Sequence, residues 1–453
     1  MTSKNPHEDK HLVIGAGFTG LGMARALREA GIAYDQVEAA DRVGGNWYQG
    51  VYQHVHIVSS KATTEFPGYP MPADYPPFPS AAQMHAYLES FATHYQLYDQ
   101  LELRRRVSRA EPTGTDQWTV TFEDGEVRRY RGVIVCNGHH WKAKLPSYPG
   151  HFSGQYFHSA HYKTTDVLVG RRVLVIGAGN SACDIAVDAA REAASADISI
   201  RSGTWILPKT VFGAPLMDHM HGWVPQAAQR AFVKLLVRLF VGDYRSLGLP
   251  IPAHDVYDKH PTINSLLPYY LRHGRVHVRP AIQSWHERTV TFVDGTTAEY
   301  DLIIAATGFD VAFPFLPAGL VPIERAVPQL PMGSFPETER GLYILGWMQP
   351  RLGVGPLVEA GAPAICELIK AQAHMRHPVG AVLRRLGIGI PTTHVADGHQ
   401  LIRQMKLGRP LIRHLPTLER LLLGDGPRPP TTSVVVPPLP TYLSTTGATH
   451  AQA

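Results

Sequence analysis

One phrase occurs twice in this chain, far apart. Leu12-Val13-Ile14-Gly15-Ala16-Gly17 reappears as Leu174-Val175-Ile176-Gly177-Ala178-Gly179. The spacing is too long for a solenoid repeat, so the phrase marks two copies of one folding unit. Each copy is a short apolar run, a glycine turn and then a helical pattern. That order reads as strand, tight turn and helix, the opening of a βαβ unit. Two such units commit the chain to the α/β class and to two nucleotide sites.

The glycines have physical jobs. In the first turn Gly15 makes the bend, Gly17 lets a pyrophosphate approach the backbone, and Gly20 lets helix and strand pack closely. The intervening Phe18 and Thr19 open the helix, whose free N–H groups and dipole favour an anion. Glu38 closes the next strand, where its carboxylate can accept both ribose hydroxyls. Shortly after, Gly44-Gly45-Asn46-Trp47 permits another close approach, and Trp47 is placed to wall a flavin. A Trp taken alone is more often a core aromatic. FAD is the dinucleotide expected here.

In the second turn, Gly177, Gly179, Asn180, Ser181 and Ala182 repeat the pattern, with Ala182 in the third small-residue slot. Its second strand, read as Asp197–Ile200, ends in Arg201-Ser202 rather than an acid. An acid there would repel a 2′-phosphate, and an arginine pairs with it bidentately. NADPH is therefore expected over NADH.

The remaining pattern fills in the frame. Residues 66–79 carry six prolines and read as an irregular loop. Residues 80–95 read as a helix with Met84, Tyr87, Leu88 and Phe91 on one side. Residues 290–296 and 300–310 echo 118–125 and 132–138, as if the chain returns to its first domain. The stretch 227–241 sets Arg230, Lys234 and Arg238 on one helical stripe above apolar residues. It reads as a helix packed on its own domain, with a membrane-surface role as the alternative.

Composition removes other classes. There are 43 Lys+Arg against 38 Asp+Glu, without a dense basic block, so no nucleic-acid partner is expected. Cys136, Cys183 and Cys366 form no C-x-x-C, which leaves no redox dithiol. The pairs His54/His56, His139/His140 and His219/His221 lack metal-ligand spacing, so no metal is expected. No apolar run is long enough to span a bilayer, and the polar first residues do not read as a signal peptide. A cytoplasmic protein is expected, with a homodimer left open.

Four features together resemble the flavin-containing monooxygenase family. They are the first glycine turn with Glu38 and Gly44-Gly45-Asn46-Trp47; the run Phe152-x-Gly154-x-x-x-His158-x-x-x-Tyr162; the second glycine turn; and Ala306-Thr307-Gly308. The resemblance implies that NADPH reduces FAD, that O2 then forms a flavin hydroperoxide, and that one oxygen passes to a small amine or sulfide. It places Val107, Thr307 and Gly308 with the FAD residues, and makes Ser59, Ser60, Lys61 and His158 the candidate catalytic residues. Val58 stands where many family members carry an active-site Asn. Tyr162-Lys163 stands where Baeyer–Villiger relatives carry Trp, which favours oxygenation at nitrogen or sulfur.

The expected architecture is two Rossmann-like dinucleotide-binding domains, the NADPH domain inserted into a discontinuous FAD domain. The FAD domain spans 1–165 and 301–425. The NADPH domain spans 166–300, with a helical insert near 205–270, and a flexible Pro-rich tail covers 426–453. Substrate is expected at the domain interface. A ketone oxygenase, an NADPH oxidase and a non-catalytic flavin-binding protein are the rival readings.

Overall fold

The computed structural model describes residues 6–424 apart from 115 and 352, so the expected tail lies outside the described residues. Two five-stranded parallel sheets carry the molecule. The first runs, edge to edge, Leu342–Ile344, Gly132–Val135, His11–Ile14, Tyr34–Val37 and Leu101–Glu102. The second runs Gln155–His158, Leu302–Ala305, Arg172–Ile176, Ser195–Ser199 and His277–Arg279. In each, the strand ahead of the glycine turn is central, which suits its unbroken apolar run. The second sheet reaches outside 166–300 at both ends, taking Gln155–His158 and Leu302–Ala305. A central strand needs neighbours on both sides, and these two segments supply the second side.

Helices Phe18–Glu29 and Asn180–Glu192 leave the two turns. The first packs against the long helix Val354–Gln372 and shares a core with Ala81–His94. Ala81–His94 starts where expected: Ser80 accepts from the Gln83 amide and the Gln83 side chain returns to the Ser80 amide, a reciprocal cap. Its Met84, Tyr87, Leu88 and Phe91 are buried.

The region 205–270 mixes short strands with the helix Gln226–Leu236 and a wider turn, Val237–Val241. Val233, Leu236, Val237 and Val241 join the apolar cluster of Val173, Val175 and Ile198, so this helix packs on its own domain. Two of its cations are tied down: Arg230 meets Asp255 and Asp258 at 3.0 Å each, and Lys234 meets Asp255 at 2.7 Å. Among the described residues, no helix is long and apolar enough to cross a membrane.

Candidate functional site

The two turns are built alike. Gly15 has φ +106°, and a Cβ there would lie 2.5 Å from the Cys136 carbonyl oxygen. Gly177 has φ +132°, and its Cβ would lie 2.4 Å from the Ala306 oxygen. Each first glycine is thus forced by the neighbouring strand as well as by its own torsion. A Cβ on Gly20 would sit 2.0 Å from the Gly15 oxygen, the close helix–strand packing that the third glycine permits.

Around the first turn, Gly45 backs onto Gly17: a Cβ on Gly45 would be 2.9 Å from the Gly17 Cα. Gly44 donates its amide to the Ala16 carbonyl at 2.9 Å. Glu38 accepts from the amides of Ala16 at 2.7 Å and Ala40 at 2.9 Å, which holds its carboxylate beside the turn. Thr19 lies in the first helical turn, against Gly346. Val107 is buried with Leu12, Ile14 and Phe122 behind the sheet.

The second turn is braced from the insert. Thr262 donates its hydroxyl to the Ala178 carbonyl at 2.6 Å, and the Ile263 amide donates to Asn180 Oδ1 at 2.8 Å. Ala182 is buried where its small side chain lets the helix approach.

Between the turns lies a cavity of about 1010 Å³. Phe18, Asn46, Trp47, Val58 and Ser59 line it from the first domain, and Gly177, Gly179, Asn180, Ser181, Arg201 and Ser202 from the second. Arg201 has no acidic partner among the described residues. The acid of its own strand, Asp197, is engaged elsewhere, by Arg279 at 2.7 Å and Tyr300 at 2.5 Å.

The candidate catalytic residues separate. Ser59 lines the cavity but bonds Thr64 at 2.7 Å. Ser60 is buried, caps the short helix Lys61–Thr64 and reaches Asp218 of the insert. Lys61 points to the carbonyls of Pro72, Ala73 and Tyr75, where it ties down the proline-rich loop. His158 is buried, donates from Nε2 to the Gly308 carbonyl at 2.9 Å and accepts the Ala160 amide on Nδ1. Both ring nitrogens are used, and burial pushes its pKa down. Thr307 and Gly308 line the cavity from the second sheet, since they follow Leu302–Ala305. The matching place beside the first turn is held by Cys136, Asn137 and Gly138.

A family described as flavin-binding monooxygenase-like matches residues 8–381. The chain belongs to this family. Human flavin-containing monooxygenase 3 is 32% identical over 398 residues, covering 80% of this chain and 74% of that protein. Rabbit dimethylaniline monooxygenase [N-oxide-forming] 2 is 32% identical over 384 residues, covering 78% and 72%. Among solved structures, a flavin-containing monooxygenase from Stenotrophomonas maltophilia superposes with TM-score 0.62 at 24% identity, covering 81% of this chain and 99% of that one. Cyclohexanone monooxygenase from Rhodococcus sp. Phi1 reaches TM-score 0.69 at 16% identity, covering 90% and 98%. At these identities the two structures speak to fold alone: two Rossmann-like domains.

A flavin-binding monooxygenase of this family binds FAD and uses NADPH. The residues present fit both. The Gly15, Gly17 and Gly45 backbones make a cradle that side chains would fill, beside a fixed carboxylate. The second turn pairs an open glycine, Gly179, with a guanidinium that has no carboxylate partner among the described residues.

The monooxygenase cavity also holds histidines that the sequence motifs did not mark as site residues. His139, His140 and His260 line it, and His394 stands close enough to influence two of them. The His139 and His140 rings lie tilted against each other with centroids 4.0 Å apart, and His140 meets the Gln349 side chain at 3.0 Å. Burial lowers all four pKa values, His140 to about 3, with neighbouring imidazoles adding to the shift for His139, His140 and His260. A signal for the first two existed. Gly138-His139-His140 follows its strand as Gly308 follows the echoing strand in the second unit.

Proposed function

We propose that this chain is an NADPH-dependent monooxygenase that places one atom of O2 on nitrogen or sulfur of a small, soft nucleophile. The observation that carries the reading is one cavity lined by Phe18, Asn46 and Trp47 beside the first glycine turn and by Gly177, Gly179 and Asn180 of the second, with Arg201 at its second-domain side. When bound, FAD accepts a hydride from NADPH and supplies the electrons that activate O2; the protein binds, orients and shields. Arg201 takes the 2′-phosphate and Asn180 and Ser181 present the helix start to the pyrophosphate. Phe18, Trp47, Ile57 and Val58 keep the wall apolar and exclude water. His139, His140 and His260 stay neutral near pH 7, so these three supply no imidazolium to hand a proton to the reacting oxygen.

The relatives' names support nitrogen as the acceptor: one is called N-oxide-forming. An oxidase that releases peroxide is the second reading, and Val58 favours it. An aliphatic side chain at that wall offers no hydrogen bond to retain a reacting group.

The test is a two-step mixing experiment on FAD-loaded protein. It is reduced anaerobically with NADPH and mixed with oxygen while the flavin spectrum is followed, with a tertiary amine, a sulfide or a cyclic ketone present. NADPH reduction with formation of N-oxide or sulfoxide is expected. Lactone or ester from the ketone alone moves the chain to the Baeyer–Villiger reaction. One peroxide released per NADPH, without organic product, supports the oxidase. Absence of reduction by NADPH overturns all three.

A further inference from the structure

The helix Asn180–Glu192 starts at the second glycine turn and carries Asp184 and Asp188, one helical turn apart on one face. Each aspartate holds a tyrosine from outside its domain's turn. Tyr52 donates to Asp184 at 2.8 Å, and Tyr162 donates to Asp188 at 2.9 Å. Both rings are buried, with centroids 5.6 Å apart. The other oxygen of Asp184 is taken by Asn264 Nδ2 at 2.7 Å. Burial and the facing carboxylates push both phenols well above their usual pKa, so they remain donors at every working pH.

Tyr52 ends the segment that begins at Trp47. Its neighbours are also tied to the Tyr162 segment: the Gln53 amide donates to the Lys163 carbonyl at 2.9 Å, and Lys163 Nζ donates to the Gln49 carbonyl at 2.7 Å. The Asn46–Gly50 turn, lining the cavity from the first domain, is thereby pinned to the helix that presents the second dinucleotide turn.

We propose that Tyr52 and Tyr162 are positioning residues, whose paired bonds to Asp184 and Asp188 set the separation between the flavin-side wall and the nicotinamide-dinucleotide turn. This rests on the function proposed above. Hydride transfer depends steeply on donor–acceptor placement, and a displacement near an ångström is enough to slow it sharply. Tyr52 acts through the helix rather than on the reacting atoms.

The test uses FAD-loaded Tyr52→Phe, Tyr162→Phe and Asp188→Asn. Phenylalanine keeps the ring packing and removes the bond; asparagine keeps an acceptor for Tyr162. Four quantities are read: flavin reduction rate at saturating NADPH, peroxide released per NADPH, NADP⁺ affinity by calorimetry, and Tm. Loss of a hydrogen bond to a charged group predicts a fall of about tenfold in the saturating reduction rate and in NADP⁺ affinity for each Phe variant. Peroxide leakage should rise, and Asp188→Asn, which keeps an acceptor for Tyr162 but loses its charge, should show smaller losses than Tyr162→Phe. A lower Tm with unchanged saturating rate, leakage and NADP⁺ affinity overturns the proposal, because that is what loss of a purely structural bond would do. If wild-type protein is not reduced by NADPH, the proposed function falls. The positioning role is then decided by NADP⁺ affinity alone, and equal affinity in wild type and Tyr52→Phe ends it.

Discussion

His11 opens the first strand from a position that is 5% exposed. Its Nδ1 finds no partner among the described residues. Burial, helped by the positive charge of Arg131 and opposed by the Ala33 carbonyl, lowers its pKa to about 4. The unfolded chain titrates this group near 6.5, so between the two values the unfolded state binds the extra proton. The resulting stability is fully present above pH 6.5 and falls with acidification, by about 1.4 kcal/mol per pH unit, until about pH 4. His11→Leu should therefore flatten the dependence of Tm on pH between 6.5 and 4.5. An unchanged slope would show that other groups carry the acid lability. Ser60 and Lys61 make the same point about residue identity. A serine and a lysine beside an active cavity look chemical, yet their bonds run to a helix cap, an aspartate of the insert and three loop carbonyls.

Glycines of one motif differ at the level of the element. Gly15 has a positive φ and meets the next strand, so Gly15→Ala should cost more than about 1 kcal/mol of stability from backbone strain alone. Gly179 is extended at φ −79°, and a Cβ there would meet nothing within 4 Å. Gly179→Ala should fold within about 0.5 kcal/mol of wild type. Its methyl group would instead occupy the space through which the pyrophosphate approaches. NADP⁺ affinity should then fall by about tenfold or more, equivalent to about 1.4 kcal/mol. Thermal melts and a nucleotide titration separate the two effects. Wild-type NADP⁺ affinity in Gly179→Ala would mean that the dinucleotide does not lie over this turn.

Cavity and fold meet at the scale of the whole molecule. Neither sheet encloses the cavity alone, and further ties cross between the insert and the first domain. Ser60 bonds Asp218, His399 meets the Met220 carbonyl at 2.9 Å, and Arg351 lies 4.5 Å over the Tyr257 ring. A ligand that binds the folded state alone at 100 times its Kd adds about 2.7 kcal/mol of stability. NADP⁺ at that concentration should raise Tm measurably in wild type. Arg201→Ala, at the same NADP⁺ concentration, should lose most of the gain while its response to NAD⁺ stays the same. An Arg201→Ala protein protected by NADP⁺ as well as wild type would remove Arg201 from the phosphate site.

Much of this was legible in the residues. The doubled phrase determined both parallel sheets, because an apolar run into a glycine turn has few other uses and its physics is local. Glu38 beside the first turn, and Arg201 after a second strand that does not end in an acid, could be read for the same reason. What local pattern does not carry is the partner of a side chain. The sheet membership of Gln155–His158, the placement of Thr307 and Gly308 beside the second turn, the bond of Ser60 to Asp218, the gathered histidines and the Tyr–Asp pairs all join segments distant in sequence. Such contacts form only when the separate segments pack together, and burial then sets their chemistry. A histidine or aspartate takes its pKa from the neighbours that exclude water, and those neighbours are assembled by the tertiary fold.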